Sequence, residues 1–293
     1  MKISATDVKA LRDLTNAGMM DCKKALLESQ GDIEKAKLLL QEKGKSKADS
    51  KSGRVASQGL VSIEIDETNK LAIVLEINCE TDFAAKDNHF IEFTEQISKL
   101  LISKNIDTVK KLMDIPIEGY KNVDEYRTHV VAKLGENINV RRFKRIFFEG
   151  TVGTYMHGTK IAALVDLDTD NTGLAKDLAM QIAALKPEYI DQGDIPDAMI
   201  EEELRILRLQ AQKEGKPKEI LEKIVNGKLN KHLNEITLLG QEYIKDSDLN
   251  ISQLLKKSNA NVNLFVRYEV GEGIEQEEKN FAEEVKAQVD ASE

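Results

Sequence analysis

The chain has 293 residues, of which 41% are hydrophobic and 32% charged, and its formal net charge is −9. This length allows two or three domains, and the composition is typical of globular domains with buried cores. The acidic charge argues against nucleic-acid binding, because neutralisation of phosphates supplies much of that affinity. The sequence shows no signal peptide and no apolar run near the ~18 residues of a transmembrane helix. We therefore expect a soluble, cytoplasmic protein that binds neither nucleic acid nor membrane.

Residues 1–45 predict a unit of three short helices. Ser4 and Asp7 have the spacing of an N-terminal capping box, and apolar residues come after them at helical intervals. Gly18 and Gly31 separate the helices, because glycine accepts the left-handed conformation that often ends a helix. We expect the third helix to end near Lys43 and the three helices to share one small core.

Residues 46–57 have the composition of a linker. They are rich in Lys, Ser and Gly and almost free of large apolar side chains. Such segments are usually flexible connections. We therefore expect the N-terminal unit to be mobile relative to the rest of the chain.

An internal repeat covers most of the chain after residue 57. In the first copy an alternating apolar pattern predicts a strand, formed by Leu71, Ile73, Leu75 and Ile77. The same pattern recurs later in the chain, at Ile161, Ala163, Val165 and Leu167. Each copy is typical of a β-hairpin followed by a loop and a helix. We expect a first core subdomain over residues 58–145 and a second over 146–275.

The second copy is longer, and the extra residues have helical periodicity. Two amphipathic segments lie on either side of Gly215 and Pro217, which predicts an inserted antiparallel helical hairpin, or coiled coil, over about 197–233. The acidic residues 276–293 predict a C-terminal helical module. Together these elements predict an α+β fold.

The motifs of common catalytic and metal sites are missing from the sequence. Gly44 begins a GKS triplet, but Leu39 stands where a phosphate-binding loop needs its first glycine. Residues 153–160 resemble that loop with the final pair reversed, and they fall in a predicted hairpin. The four histidines are scattered, and Cys22 and Cys79 lack CxxC spacing, so both should be reduced thiols. We expect neither an enzyme nor a bound cofactor or metal.

The turn between the hairpin and the helix of the first repeat carries Thr81, Asp82 and Phe83. The residues alone allow two interpretations. Thr81 or Asp82 caps the next helix while Phe83 folds back into the core, or Phe83 points outward to bind a partner. In the second repeat Gly173 stands at the position of Phe83. The fold therefore does not require an aromatic ring here, which favours the binding role.

Several segments resemble the elongation factor Ts family of the bacterial type, and they occur in that family's order. They are NAGMMDCKKAL at 16–26, NCETDFAAKD at 78–87, GENINVRRF at 135–143, KPEYI at 186–190, GKPKEI at 215–220 and VRYEVGEGIE at 266–275. The resemblance covers nearly the whole chain. It implies an N-terminal module like a ubiquitin-associated (UBA) domain, and a guanine-nucleotide exchange factor without catalytic chemistry. The implied partner is the GTPase elongation factor Tu.

The resemblance assigns the displacement of Mg²⁺ from that partner to Thr81, Asp82, Phe83 and Ala84. Phe83 would act as an apolar wedge, and Asp82 would disturb the polar groups that support the metal ion. The family often has Val where Ala84 stands. This departure should soften one packing contact without removing the motif.

The resemblance implies further partner contacts at Arg12, Met19 and Met20 in the N-terminal module, and at His157 in the second hairpin. From the residues alone, either methionine could instead belong to the core, and a lone histidine could be an ordinary surface residue. The N-terminal unit by itself would also suit a ubiquitin-like or polypeptide-binding adaptor. That alternative leaves the repeat and the Asp82–Phe83 turn unexplained.

Overall fold

The computed structural model describes residues 3–15, 17–213 and 218–275. The N-terminal unit contains α1 (Ala5–Thr15), α2 (Met19–Glu28) and α3 (Ile33–Lys51). The next elements are β1 (Gln58–Asp66), β2 (Leu71–Cys79), α4 (Asp82–Ala85), α5 (Asn88–Ser103), α6 (Val109–Met113), α7 (Val123–Leu134) and β3 (Ile138–Phe147). The last group comprises β4 (Thr151–His157), β5 (Ile161–Leu167), α8 (Thr172–Leu185), α9 (Asp197–Lys213), α10 (Lys218–Ile236), β6 (Glu242–Tyr243), β7 (Asp246–Asn250), α11 (Ile251–Ser258) and β8 (Val262–Glu269).

The three helices of the N-terminal unit share a small apolar core. Its buried members include Leu11 from α1, Leu26 from α2 and Ala36 from α3. The predicted capping box is present, because the Ser4 hydroxyl accepts the Asp7 N–H at 3.1 Å and Asp7 accepts the Ser4 N–H at 3.2 Å. These contacts fix the start of α1.

The predicted linker is partly wrong, because α3 continues through it to Lys51. Ala48 is buried in the core of the first sheet. A Cβ atom at Gly44 would lie 3.7 Å from Thr128 Cγ2 on α7, so the two helices are in close contact there. Lys, Ala, Ser and Asp are all compatible with helix, and packing against α7 supplies the stabilisation that the composition does not reveal. The N-terminal unit is therefore joined to the rest by a packed helix over residues 46–51, where the sequence predicted a linker.

The first sheet has the order β1-β2-β3, with antiparallel neighbours. Its central strand β2 is buried along its whole length. One face of the sheet packs against α5 and α7, through residues that include Ile73, Phe93 and Val130. Both faces of β2 are covered, which explains its nearly continuous apolar sequence.

The second sheet repeats this arrangement in the order β4-β5-β8, with α8 on its outer face. The inner faces of the two sheets pack together through a shared core that includes Val74, Ile146, Leu164 and Val266. β3 extends to Phe147, so the predicted boundary at 145/146 falls inside a strand. The fold is α+β, as predicted, and its two repeats share one interior.

The inserted segment forms two helices, α9 and α10, with their own apolar core. Leu207 and Ala211 on α9 lie in one cluster with Leu221, Val225 and Leu229 on α10. The second helix ends at Ile236, slightly beyond the predicted segment. The predicted C-terminal module, residues 276–293, lies outside the described residues. Among the residues described, no helix is both long and apolar enough to cross a membrane.

Candidate functional site

The turn after β2 exposes its aromatic ring. Thr81 is the N-cap of α4, and its hydroxyl accepts the Ala84 N–H at 3.2 Å. Ala84 and Ala85 are buried, whereas the Phe83 side chain is 80% exposed. The interpretation with Thr81 as a cap is confirmed, but the ring does not fold back into the core. The two alanines fill that space instead.

Asp82 lies beside the exposed ring and carries a full negative charge at neutral pH. Its carboxylate accepts a hydrogen bond from the Lys86 ammonium at 2.8 Å, one helical turn later. This contact lowers the pKa of Asp82 below the usual value for aspartate. The turn therefore presents an apolar ring and an anionic group next to each other.

Two acidic side chains that the sequence analysis did not single out connect this turn to the segment before β3. Glu136, just before β3, accepts the Thr81 N–H at 3.0 Å and the Thr81 hydroxyl at 2.6 Å. Glu80 accepts the Asn137 N–H at 2.6 Å. The two residues lie in the segments at 78–87 and 135–143, which carry part of the family resemblance but say nothing of these contacts.

The hairpin tip between β4 and β5 lies at the same end of the first sheet as the Phe83 turn. The carbonyl of Thr159 accepts the Val61 N–H at 2.9 Å. The Lys160 ammonium donates to Gln58 Oε1 at 2.8 Å, and Gln58 pairs with Cys79, the last residue of β2. The structure therefore brings the tip of the second repeat next to the turn of the first.

His157 ends β4 at this tip and is exposed to solvent. Its Nδ1 lies 3.5 Å from the Tyr155 hydroxyl. A groove of about 580 Å³ lies beside the tip, and its lining includes Leu60, Lys86, Ile91 and Thr159. Residues that directly follow the turn, Ala85 and Lys86, thus line the same groove as Thr159 of the tip.

Met19 and Met20 begin α2 and are exposed by 57% and 64%. Cys22 and Leu26 of the same helix fill the core, so neither methionine belongs to it. Arg12 is exposed on α1. Met19 and Met20, which we call the Met19–Met20 patch, lie on a different unit from the Phe83 turn, and α3 links the two units.

The side chains with nucleophilic chemistry are poorly placed for it. Cys79 is buried, and burial raises the pKa of its thiol to about 12, so it is not a thiolate at neutral pH. Burial also lowers the pKa of His129. Within the described part of the chain, no group of three or more His, Cys, Asp or Glu side chains could hold a metal ion.

Comparisons with known proteins place the chain among the translation elongation factors. The family described as Elongation factor TS matches residues 80–272. Elongation factor Ts of Methylococcus capsulatus is 47% identical over 293 residues, the whole of both chains. That of Alkalilimnicola ehrlichii is 46% identical over the same coverage. That of Legionella pneumophila (strain Lens) is 43% identical over 287 residues, 98% of each chain.

The chain belongs to the elongation factor Ts family. The family match begins at Glu80 and therefore includes the whole Phe83 turn, the hairpin tip and the inserted helices. The relatives also cover the N-terminal unit that carries Met19 and Met20.

Proposed function

We propose that the protein is a guanine-nucleotide exchange factor for elongation factor Tu. It binds elongation factor Tu in its GDP form, displaces Mg²⁺ and promotes the release of GDP, so that GTP can bind. It works in the cytoplasm and makes no direct contact with nucleic acid. The observation that carries the proposal is the 80% exposure of the Phe83 ring on a backbone turn held by Glu136.

An exposed phenylalanine contributes no burial free energy to folding, but it can contribute that free energy to the binding of a partner. Burying such a side chain contributes about 1.5–3 kcal/mol, which this fold forgoes. The ring does not pack in the core, because Ala84 and Ala85 are the buried residues of this turn. A partner that buries the ring gains the whole contribution, and one aromatic anchor of this kind can supply ~2–4 kcal/mol.

The turn has the chemistry to disturb a magnesium–phosphate site. GTPases hold the phosphates of their nucleotide through backbone amides and a Mg²⁺ ion that neutralises charge. Phe83 enters as an apolar wedge between helices of the GTPase. Asp82, which is anionic, perturbs the polar groups that support the ion, and without the ion the phosphates lose much of their charge neutralisation.

Exchange then requires binding energy alone. The protein binds the nucleotide-free partner better than the nucleotide-bound form, and by linkage the nucleotide weakens the complex by the same factor. Each tenfold loss of nucleotide affinity takes about 1.4 kcal/mol, so a thousandfold loss takes about 4 kcal/mol. One or two buried anchors supply that amount. The Met19–Met20 patch and His157 supply further contacts.

The direct test is the release of fluorescent GDP from elongation factor Tu, followed by stopped flow with excess unlabelled GDP. We expect the protein to accelerate release by about two to three orders of magnitude at saturation. The acceleration should be smaller when EDTA has already removed Mg²⁺, because the protein then has no metal ion to displace. Release at the intrinsic rate in the presence of the protein would overturn the proposal.

A further inference from the structure

Two chain segments that are far apart in sequence hold each other through a reciprocal pair of carboxylate–amide bonds. Glu80 accepts the N–H of Asn137 at 2.6 Å, and Glu136 accepts the N–H of Thr81 at 3.0 Å. Each carboxylate thus binds the residue that comes directly after the other carboxylate. We call these four residues, Glu80, Thr81, Glu136 and Asn137, the clasp.

One side of the clasp completes the cap of α4. The Thr81 hydroxyl donates its proton to Glu136 at 2.6 Å, which leaves its oxygen free to accept the Ala84 N–H at 3.2 Å. α4 has only four residues, and a single helical turn is not stable on its own. The direction of the Phe83 ring therefore depends on contacts from outside the turn, and Glu136 provides two of them.

The other side of the clasp holds the connection to the N-terminal unit. The buried Asn137 side chain donates to the carbonyl of Ser52 at 3.2 Å and to that of Arg54 at 2.8 Å. Arg54 forms an ion pair with Glu80 at 3.4 Å. Ser52 and Arg54 lie directly after α3 in the chain. The clasp therefore joins the Phe83 turn to the segment that carries the N-terminal unit.

The position of Glu136 suits a role in the turn rather than in the core. Its side chain is half-buried at the edge of the turn, whereas the apolar core begins with the buried Ile138 two residues later. Gly135 just before it ends α7 in the left-handed conformation. Loss of the carboxylate should therefore loosen the turn while the sheets and α7 keep their packing.

We infer that the clasp is a positioning device for nucleotide exchange, and that Glu136 is a positioning residue that acts through the Phe83 ring. The inference rests on the proposed function. Glu136 holds the turn in the conformation that enters the partner. The conformational entropy of the turn is therefore lost on folding and does not weaken binding. The same contacts fix the turn relative to the connection that leads to the Met19–Met20 patch.

The test is a double-mutant cycle of Glu136→Ala and Phe83→Ala, with fluorescent GDP release from elongation factor Tu as the readout. We expect Glu136→Ala to lower the maximal release rate about 5- to 30-fold. Glu136→Gln keeps one carbonyl acceptor and should fall between Glu136→Ala and the wild type. In the Phe83→Ala background, Glu136→Ala should have almost no further effect, because two residues that act as a unit are not additive.

Glu201→Ala, which removes an exposed carboxylate on α9, is the matched control. With this variant, GDP release from elongation factor Tu should proceed at the same rate as with the wild type. Circular dichroism and thermal unfolding show whether each variant is folded. If Glu136→Ala does not fold, Glu136→Gln carries the same cycle. Equal effects of the Glu136 change in the two backgrounds would overturn the inference, and so would a wild-type rate for Glu136→Ala. An inactive wild-type chain would instead refute the proposed function.

Discussion

The Glu76 carboxylate in the middle of β2 accepts the backbone N–H of Gly271, just after β8, at 2.8 Å. Glu76 is fully buried, and it also accepts hydrogen bonds from Arg141 at 2.9 Å and from Arg142 at 2.6 Å. This buried charge therefore connects the central strand of the first sheet to the end of the second.

Replacement of Glu76 should destabilise the whole molecule. Glu76→Ala leaves Arg141, Arg142 and the Gly271 N–H without their shared acceptor, and breaking a buried pair costs about 3–5 kcal/mol. We expect the free energy of unfolding in urea to fall by that amount. Glu67→Ala, in the exposed turn between β1 and β2, is the control and should change it by less than about 0.5 kcal/mol. Similar stabilities of the two variants would contradict this role.

The same carboxylate should contribute to the pH dependence of stability. Burial alone would raise the pKa of Glu76, but the bonds from Gly271, Arg141 and Arg142 outweigh it and lower the pKa. Its contribution is therefore complete above the unfolded pKa of about 4.3 and is lost as the pH falls through the lower folded value.

Urea unfolding of the wild type and of Glu76→Gln, from about pH 7 down to about pH 3, measures this contribution. The stability difference between the two proteins should be largest at neutral pH and shrink under acid. A difference that is constant over this range would show that Glu76 does not titrate in this way.

A substitution at Gly44 tests whether α3 continues through the predicted linker. A Cβ at this position meets Thr128 and Ala132 at 3.7 and 3.9 Å, which is ordinary contact distance. Because alanine favours helix over glycine, Gly44→Ala should stabilise the protein by about 0.5–1 kcal/mol. Gly227→Ala, within α10 and with open space around it, should show a gain from helix propensity alone. A loss of stability for Gly44→Ala would indicate that the helix ends before residue 44.

The exposed methionines should contribute to affinity for the partner. Met19→Ala combined with Met20→Ala removes two adaptable apolar side chains while leaving the core of the N-terminal unit intact. We expect the dissociation constant for nucleotide-free elongation factor Tu, measured by calorimetry, to rise about tenfold or more. Met199→Ala, an exposed methionine on α9, is the matched control. Equal affinity of the double variant and the wild type would remove this patch from the interface.

Periodicity was sufficient to predict the repeat and the helical hairpin. The alternation at Leu71 to Ile77 marks a strand, and its recurrence marks the second copy, because each pattern reflects local burial. The linker prediction failed over residues 46–51 for the opposite reason. Their composition is polar, and the helix forms there because Gly44 and Ala48 pack against distant parts of the chain.

The sequence predicts a position for the candidate site but not the orientation of its aromatic ring. Local spacing predicts a cap at Thr81 but does not decide by itself whether Phe83 turns inward or outward. That depends on Ala84 and Ala85 filling the core and on Glu136, which lies 55 residues from Thr81. Contacts over such separations leave no periodic signal in a single sequence.

The most direct test of the wedge compares Phe83→Ala with Phe147→Ala in the release of fluorescent GDP from elongation factor Tu. Phe147 is also exposed and ends β3 opposite Leu71, whereas the Phe83 turn comes after Cys79 at the other end of β2, roughly 26 Å away along the strand. We expect Phe83→Ala to slow release about tenfold or more and Phe147→Ala to match the wild type. A wild-type rate for Phe83→Ala would contradict the central claim that the exposed ring drives exchange.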